Sequence, residues 1–193
     1  MTKKQIADII SYVLSPVNNA FYAIVIISFF LLDNSNQQEF ITQFIVAFFF
    51  LCITPVIGIL IYTKKGIVDI WVSDRKIRTP FYLVAIGGYT VSLVIFYFFD
   101  NHEFFVLTLA YFFVTIAITI SNLKTKVSSH TGGFTGPFTA LFYLFGFSTL
   151  PFLLLLPIVI WARIKLNAHS QGQLISGALI GIIITYATYW YFY

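Results

Sequence analysis

Long apolar runs, separated only by short polar loops, decide what this chain can fold into. They lie at about 17–32, 40–63, 80–99, 104–121, 134–162 and 173–193. Apolar residues follow one another continuously in these runs and do not alternate with polar ones, which argues against a membrane β-barrel and for helices. A helix needs roughly 20 residues, within a range of about 17–25, to cross a bilayer. The composition agrees. Hydrophobic residues make up 59% of the chain and charged residues 9%, where a soluble domain carries roughly 25% charged residues. The expected fold is all-α: a polytopic transmembrane helical bundle of six to seven spans, one integral-membrane domain over residues 1–193.

Two runs bear on the span count. The first is short unless its helix begins near Ile6 with Pro16 as a kink, and it reads as a retained helix because no small-residue cleavage site follows it. The fifth is long for one helix and short for two, and Gly146, Ser148 and Pro151 mark a break inside it. Splitting it into a hairpin of about 133–147 and 149–165 gives seven spans. All 11 basic residues then lie on the N-terminal side: Lys3, Lys4, Lys64, Lys65, Arg75, Lys76, Arg78, Lys124, Lys126, Arg163 and Lys165. The opposite side holds Asp33, Glu39, Asp100 and Glu103. Seven spans are therefore favoured, with the basic face cytoplasmic and the chain multi-pass in an inner or plasma membrane. The net charge of +4 is too small and dispersed to mark a nucleic-acid partner. The lone Cys52 forms no intramolecular disulfide. Gly177 and Gly181, four apart in the last run, and Gly87-Gly88 in the third predict close helix packing.

The hairpin gathers three polar clusters on one face. They are Asp74-Arg75-Lys76-Ile77-Arg78, Ser128-Ser129-His130, and Arg163 to His169. A juxtamembrane Arg or Lys ordinarily anchors a helix or meets lipid headgroups, and a single loop histidine is ordinarily incidental. The combination points elsewhere. Arginine's planar fork matches phosphate oxygens and stays charged at any relevant pH. Arg75 and Arg78, three apart, share one side of a helical turn. With Arg163 they form a set able to hold one phosphoryl group, whose charge sits on its non-bridging oxygens. His130 and His169 add a nucleophile and an acid near neutral pH. Ser128 and Ser129 add hydroxyl donors, and Gly132-Gly133 allow backbone amides to approach at a helix start. His102 stands in the acidic loop without an arginine and is set aside.

The spacing resembles the type-2 phosphatidic acid phosphatase family, membrane lipid phosphatases related to vanadium haloperoxidases. That family's third motif is Ser-Arg, five residues, His, three residues, Asp; here Ala162-Arg163 precedes His169 and Gln173 at the same spacing. Its second motif, Pro-Ser-Gly-His, reads Val127-Ser128-Ser129-His130, and its first, Lys, six residues, Arg-Pro, falls near Asp74 to Pro80. The resemblance spans roughly residues 64–185. It implies His169 as a nucleophile that becomes phosphohistidine and His130 as the acid for the leaving group. It also implies Arg163, Arg75 and Arg78 as phosphate ligands with Ser128 and Ser129, Asp74 and Lys76 in support, and no metal or other cofactor. The implied function is metal-independent hydrolysis of a phosphomonoester or diphosphate on a membrane lipid or isoprenoid. Gln173 departs from the pattern. It accepts a hydrogen bond from the histidine ring but brings no negative charge.

Two other functions compete with this one. A catalytically impaired lipid-phosphate binder or transporter of the same fold would explain Gln173. A prenyltransferase would need two acidic motifs to bridge metals; Asp69 and Asp74 are five apart, and no second Asp-rich cluster stands on that face. The expected partners are a lipid phosphate and the surrounding membrane lipids, with no nucleic acid. A homo-oligomer remains open.

Overall fold

The computed structural model describes residues 1–32 and 36–193. Asp33, one of the acidic residues used for topology, lies outside the described residues. The described elements are all helical, with no strand among them. Five helical stretches are long and apolar enough to cross a membrane: Gln37–Lys64, Arg75–Phe98, His102–Lys124, Ser129–Leu153 and Gln171–Phe192. A sixth results if the bent pair Lys3–Val13 and Pro16–Leu31 is counted as one span.

The first pair shows how local chemistry sets these shapes. α1 (Lys3–Val13) opens with a capping box in which Gln5 N–H donates to Thr2 Oγ1 at 3.2 Å and Thr2 N–H to Gln5 Oε1 at 2.8 Å. It starts three residues before Ile6, the expected beginning. Pro16 does not kink a continuous helix. It opens α2 (Pro16–Leu31) at the first helical position behind the Ser15 cap, and the axis turns by 45° there.

α3 (Gln37–Phe48) runs through a π-helical turn at Phe49–Ile53 into α4 (Thr54–Lys64). Pro55 explains the turn, since it has no N–H and its ring clashes with the preceding turn. Thr54 Oγ1 donates to Phe50 O at 2.6 Å and satisfies a carbonyl there. Beyond the turn, α4 leans on α5 (Thr79–Phe98), whereas α2 packs on the turn itself. α6 (His102–Lys124) follows a tight corner with Asp100 at φ 51° and an Asn101 cap.

α7 (Ser129–Phe145) and α10 (Gln171–Phe192) form the most extensive helix pair. Gly177 and Gly181 make that approach possible: a Cβ at either would run into Ser128, Thr131, Gly132 or Thr135 of α7. Thr131 Oγ1 donates to Leu174 O at 2.8 Å and Thr135 Oγ1 to Ala178 O at 3.0 Å, tying the helices with polar bonds. Gly88 likewise sits against Thr54, while Gly87 faces open space and packs on nothing.

The expected break occurs. α7 ends at Gly146, whose φ of 63° no L residue adopts comfortably. A 3₁₀ turn (Gly146–Thr149) and the single-turn α8 (Leu150–Leu153) reverse the chain, and α9 (Leu155–Lys165) returns along α7 and α1. The return arm is not the one continuous helix expected over 149–165. At 11 residues α9 rises about 16 Å, too short to span by itself.

The core lies toward the acidic end. Ile24, Ile27, Phe96, Phe104, Leu107 and Tyr189 are fully buried in one cluster. At that end Asn101 Nδ2 donates to Gln43 Oε1 at 2.7 Å, and Gln43 Nε2 to Glu39 Oε1 at 3.1 Å. At the basic end the bundle opens into a cavity.

Candidate active site

Four backbone-anchored bonds pull the polar loops together at the basic end. Ser128 N–H donates to Gln173 O at 3.1 Å, joining the start of α7 to the start of α10. Lys126 Nζ donates to Ala168 O at 2.8 Å, and Arg78 Nη1 to Val127 O at 3.3 Å. Ala168 N–H donates to Arg163 O at 3.0 Å, with Asn167 at φ 53° completing the turn after α9. The loop before α5 is shaped by Asp69. Its carboxylate accepts from Trp71 N–H and Ser73 N–H, each at 2.9 Å, and from Ser73 Oγ at 3.0 Å. Burial alone would raise the Asp69 pKa, but these donors favour the charged form and bring it below the usual value.

This loop lays Trp71 across the site. The Arg163 guanidinium lies 5.2 Å from the Trp71 ring centroid, and the His130 ring packs edge-on at 5.1 Å. Arg163 is only 2% exposed, and its Nε and Nη1 are buried without a hydrogen-bond partner. His130 Nε2 is buried in the same condition. A buried, unpaired guanidinium is costly, by several kcal/mol. An anion between Arg163 and His130 would remove that penalty. Arg78, 5% exposed, has its Nε fixed by Val72 O at 2.7 Å. Carbonyl partners hold Arg78 and Lys126 in place without neutralising them. Burial lowers the Lys126 pKa, and Arg78 and Arg163 push it further down, against weaker opposition from Asp69 and Asp74.

His169 sits in the loop between α9 and α10, half-buried, with Nδ1 3.2 Å from Gln173 Oε1. The same oxygen accepts the Ser170 N–H at 3.2 Å, because Ser170 and Gln173 form the capping box of α10. An N–H donor at Ser170 requires the oxygen, not the amide nitrogen, to point there. His169 Nδ1 must then carry the proton, which leaves Nε2 with its lone pair free. Burial pushes the ring's pKa down to about 3, and Lys126, Arg78 and Arg163 act in the same direction. His169 is therefore a neutral base at any physiological pH.

Arg78, Ser129, His130, Arg163 and His169 all line the cavity. Ser129 Oγ and the Tyr82 hydroxyl share a hydrogen bond of 2.8 Å there. The other expected site residues are placed differently. Arg75 turns away, and its Nη1 caps the open carbonyls of α6, Asn122 O and Leu123 O, at 2.7 Å each. The partial negative charge of a helix C-terminus draws it there. Ser128 is fully buried as the α7 cap, with Oγ accepting from Thr131 N–H at 3.3 Å. Asp74 caps the short 3₁₀ turn by accepting Lys76 N–H at 2.9 Å, and orients neither an arginine nor a histidine. The Lys76 side chain is exposed. Gly132 N–H is bonded to Ser128 O at 3.2 Å, so the α7 amides left without an intrahelical acceptor are those of Ser129 and His130. Asp69 and Asp74, the pair a prenyltransferase would use, each cap a turn, and no three His, Cys, Asp or Glu among the described residues stand together as metal ligands.

Sequence reasoning missed Trp71 and Lys126. Lys126 directly precedes the Val127–His130 segment, a signal hidden by counting it only toward topology. Comparison with family profiles, curated proteins and solved structures finds no match for this chain.

Proposed function

We propose that this chain is a divergent type-2 phosphatidic acid phosphatase, a metal-independent hydrolase of lipid or isoprenoid phosphates. The observation that carries this reading is the Arg163 guanidinium, buried and unpartnered beside two histidines. Arg163 Nε and Nη1, with the amides of Ser129 and His130, would bind the non-bridging oxygens, and Arg78 and Lys126 would add positive charge. His169 Nε2 attacks phosphorus, a P–N bond forms, and the ester P–O bond breaks. His130 supplies the proton to the departing alkoxide. A water that gives its proton back to His130 then attacks phosphohistidine, the P–N bond breaks, and inorganic phosphate leaves. Such donors, placed where charge develops, are worth about 10²–10³ in rate each.

Trp71 stands at the place of the lysine in the family's first motif, seven residues before Arg78. Lys126 supplies a cation from another loop instead. The proposed topology counts the α8–α9 return arm as a seventh, broken arm, with the basic end at the cytoplasmic face of an inner or plasma membrane. Cysteine labelling from each side at positions 125 and 101 tests the sidedness. Purified protein should release inorganic phosphate from phosphatidate, phosphatidylglycerol phosphate or polyprenyl phosphates without added metal, and vanadate should inhibit it. No release, or release unchanged by His169→Ala, would refute the proposal.

Gln173 favours a second reading, a lipid-phosphate binder or transporter without turnover. It predicts phospholipid binding that depends on Arg163, with no phosphate released.

A further inference from the structure

The last turn of α1 leaves one main-chain carbonyl to spare. α1 packs along α9, with Ala7 and Ser11 buried. Its end is abrupt. Leu14 N–H still donates to Ile10 O at 2.9 Å, but Ser15 N–H turns to Tyr12 O at 3.2 Å and passes over Ser11 O. Pro16 brings no N–H of its own. Three side chains of α2 then reach back to the open carbonyls. Asn18 Nδ2 donates to Tyr12 O at 2.8 Å, Asn19 Nδ2 to Leu14 O at 3.0 Å and the Tyr22 hydroxyl to Val13 O at 3.2 Å. The corner between α1 and α2 is thus braced at three successive carbonyls. Ser11 O is left out: among the described residues it takes no main-chain donor.

A buried carbonyl needs a partner, and the His130 ring supplies one. His130 is itself buried and its Nε2 has no partner, so the nitrogen turned to Ser11 O is Nδ1. The Trp71 ring, edge-on at 5.1 Å, packs against the same imidazole. A carbonyl only accepts, so Nδ1 keeps a proton in the neutral ring and in imidazolium alike. Nε2 is then the atom at which a proton comes and goes.

We propose that Ser11 is a positioning residue: its main-chain carbonyl, held by the braced corner, fixes the His130 tautomer and keeps Nε2 for the substrate. This role rests on the hydrolase reading above. There, the Nε2–H bond breaks as the departing alkoxide gains its O–H bond, and Nε2 later takes a proton back from the attacking water. Nδ1 stays protonated through both steps.

The test replaces the Ser11–Tyr12 peptide bond of the full-length protein with an ester, by placing the α-hydroxy acid analogue of tyrosine at position 12. An ester carbonyl is a weaker acceptor. The same change at position 10 weakens Ile9 O instead and costs α1 the same single N–H. Nitrogen NMR of labelled histidine in detergent reads the neutral rings, and His130→Gln assigns the signals. Wild type should show His130 and His169 both protonated at Nδ1. The position-12 ester should shift His130 toward a mixture of tautomers and leave His169 as it was, which also reports folding. It should lower kcat at least about threefold with KM unchanged, a fraction of the roughly 10²–10⁴ that a positioned acid contributes. The position-10 ester should change none of these. Asn19→Leu frees Leu14 O and loosens the corner from outside the cavity, so it should act as the position-12 ester does and takes its place if the ester does not fold. Wild-type His130 protonated at Nε2 overturns the proposal whether or not the variants fold. So does an unmoved His130 signal in a folded variant, or an equal loss of kcat in both esters. A His130 tautomer that responds to the ester in a protein releasing no phosphate leaves the contact standing and removes the hydrolase. Phosphate release with a His130 indifferent to the ester does the reverse.

Discussion

On the proposed phosphatase reading, Gln173→Glu should speed phosphate release, by a margin that follows from the geometry around His169. Gln173 Oε1 lies 3.2 Å from His169 Nδ1 and accepts Ser170 N–H at the same distance. Glutamate keeps the reach and the capping box, since Glu and Gln serve equally at that position. It adds a charge behind the ring. A neutral hydrogen bond contributes about 0.5–1.5 kcal/mol and one to a charged group about 1.5–3. The difference, about 1–1.5 kcal/mol, is realised as the ring gains positive charge on becoming phosphohistidine, and corresponds to a roughly tenfold rise in kcat. The carboxylate also opposes the burial that holds His169 near 3, so the ring's titration moves upward. Aspartate is one methylene shorter, about 1.5 Å, and should gain less. Phosphate release in mixed micelles measures the rate, and histidine ring NMR the titration. A Glu variant no faster than wild type, with the His169 titration unmoved, would refute the assigned role of this contact. Gln173→Leu provides the opposite arm: with the tautomer unfixed, kcat falls by at least about tenfold, and equal activity would count against the nucleophile assignment.

Arg163→Met should abolish phosphate binding, and vanadate inhibition with it, while leaving the thermal midpoint of the ligand-free protein equal to wild type or higher. Replacing a buried charge with a well-packed apolar side chain is often neutral or stabilising by about 1–4 kcal/mol; a fall in both would indicate a structural role. Arg75→Met should do the reverse, destabilising the protein by about 1–3 kcal/mol through the lost α6 cap with KM unchanged, and a raised KM would return Arg75 to the phosphate. Gly177→Ala should destabilise by about 1–3 kcal/mol because its Cβ meets Ser128 and Thr131, as denaturation in detergent would read. The depressed pKa of His169 means that the folded state refuses a proton the unfolded chain accepts. Its contribution therefore reduces stability as pH falls from 6.5 toward about 3, and is absent above 6.5. His169→Gln should flatten that part of the stability profile, and an identical slope in both proteins would contradict the assignment.

The helical fold was legible because hydrophobicity, helix length and charge asymmetry all point the same way. The turn at Gly146–Pro151 was readable too, from small and helix-breaking residues in an over-long run. The inner form of the return arm was not, because nothing in Leu150–Lys165 distinguishes one helix from a short turn, a break and α9. At the site, spacing located Arg78, His130, Arg163 and His169 at the cavity. It failed for Arg75, Ser128 and Asp74, because the open ends of α6, α7 and a 3₁₀ turn compete for the same polar groups that a ligand would use. Trp71 was invisible for a different reason: an aromatic residue in a chain that is 20% aromatic carries no signal until the Asp69 turn aims it.

That placement of Trp71 also gives the protein an optical reporter of whatever binds beside Arg163. An indole in contact with a guanidinium and an imidazole emits according to the field those groups set up. The arrival of a doubly charged anion beside Arg163 changes that field within a few ångströms of the ring. The other two tryptophans, Trp161 and Trp190, are partly exposed on the outside of the bundle and respond to lipid instead. Occupancy of the proposed phosphate site can thus be followed in native protein by stopped-flow emission without a label.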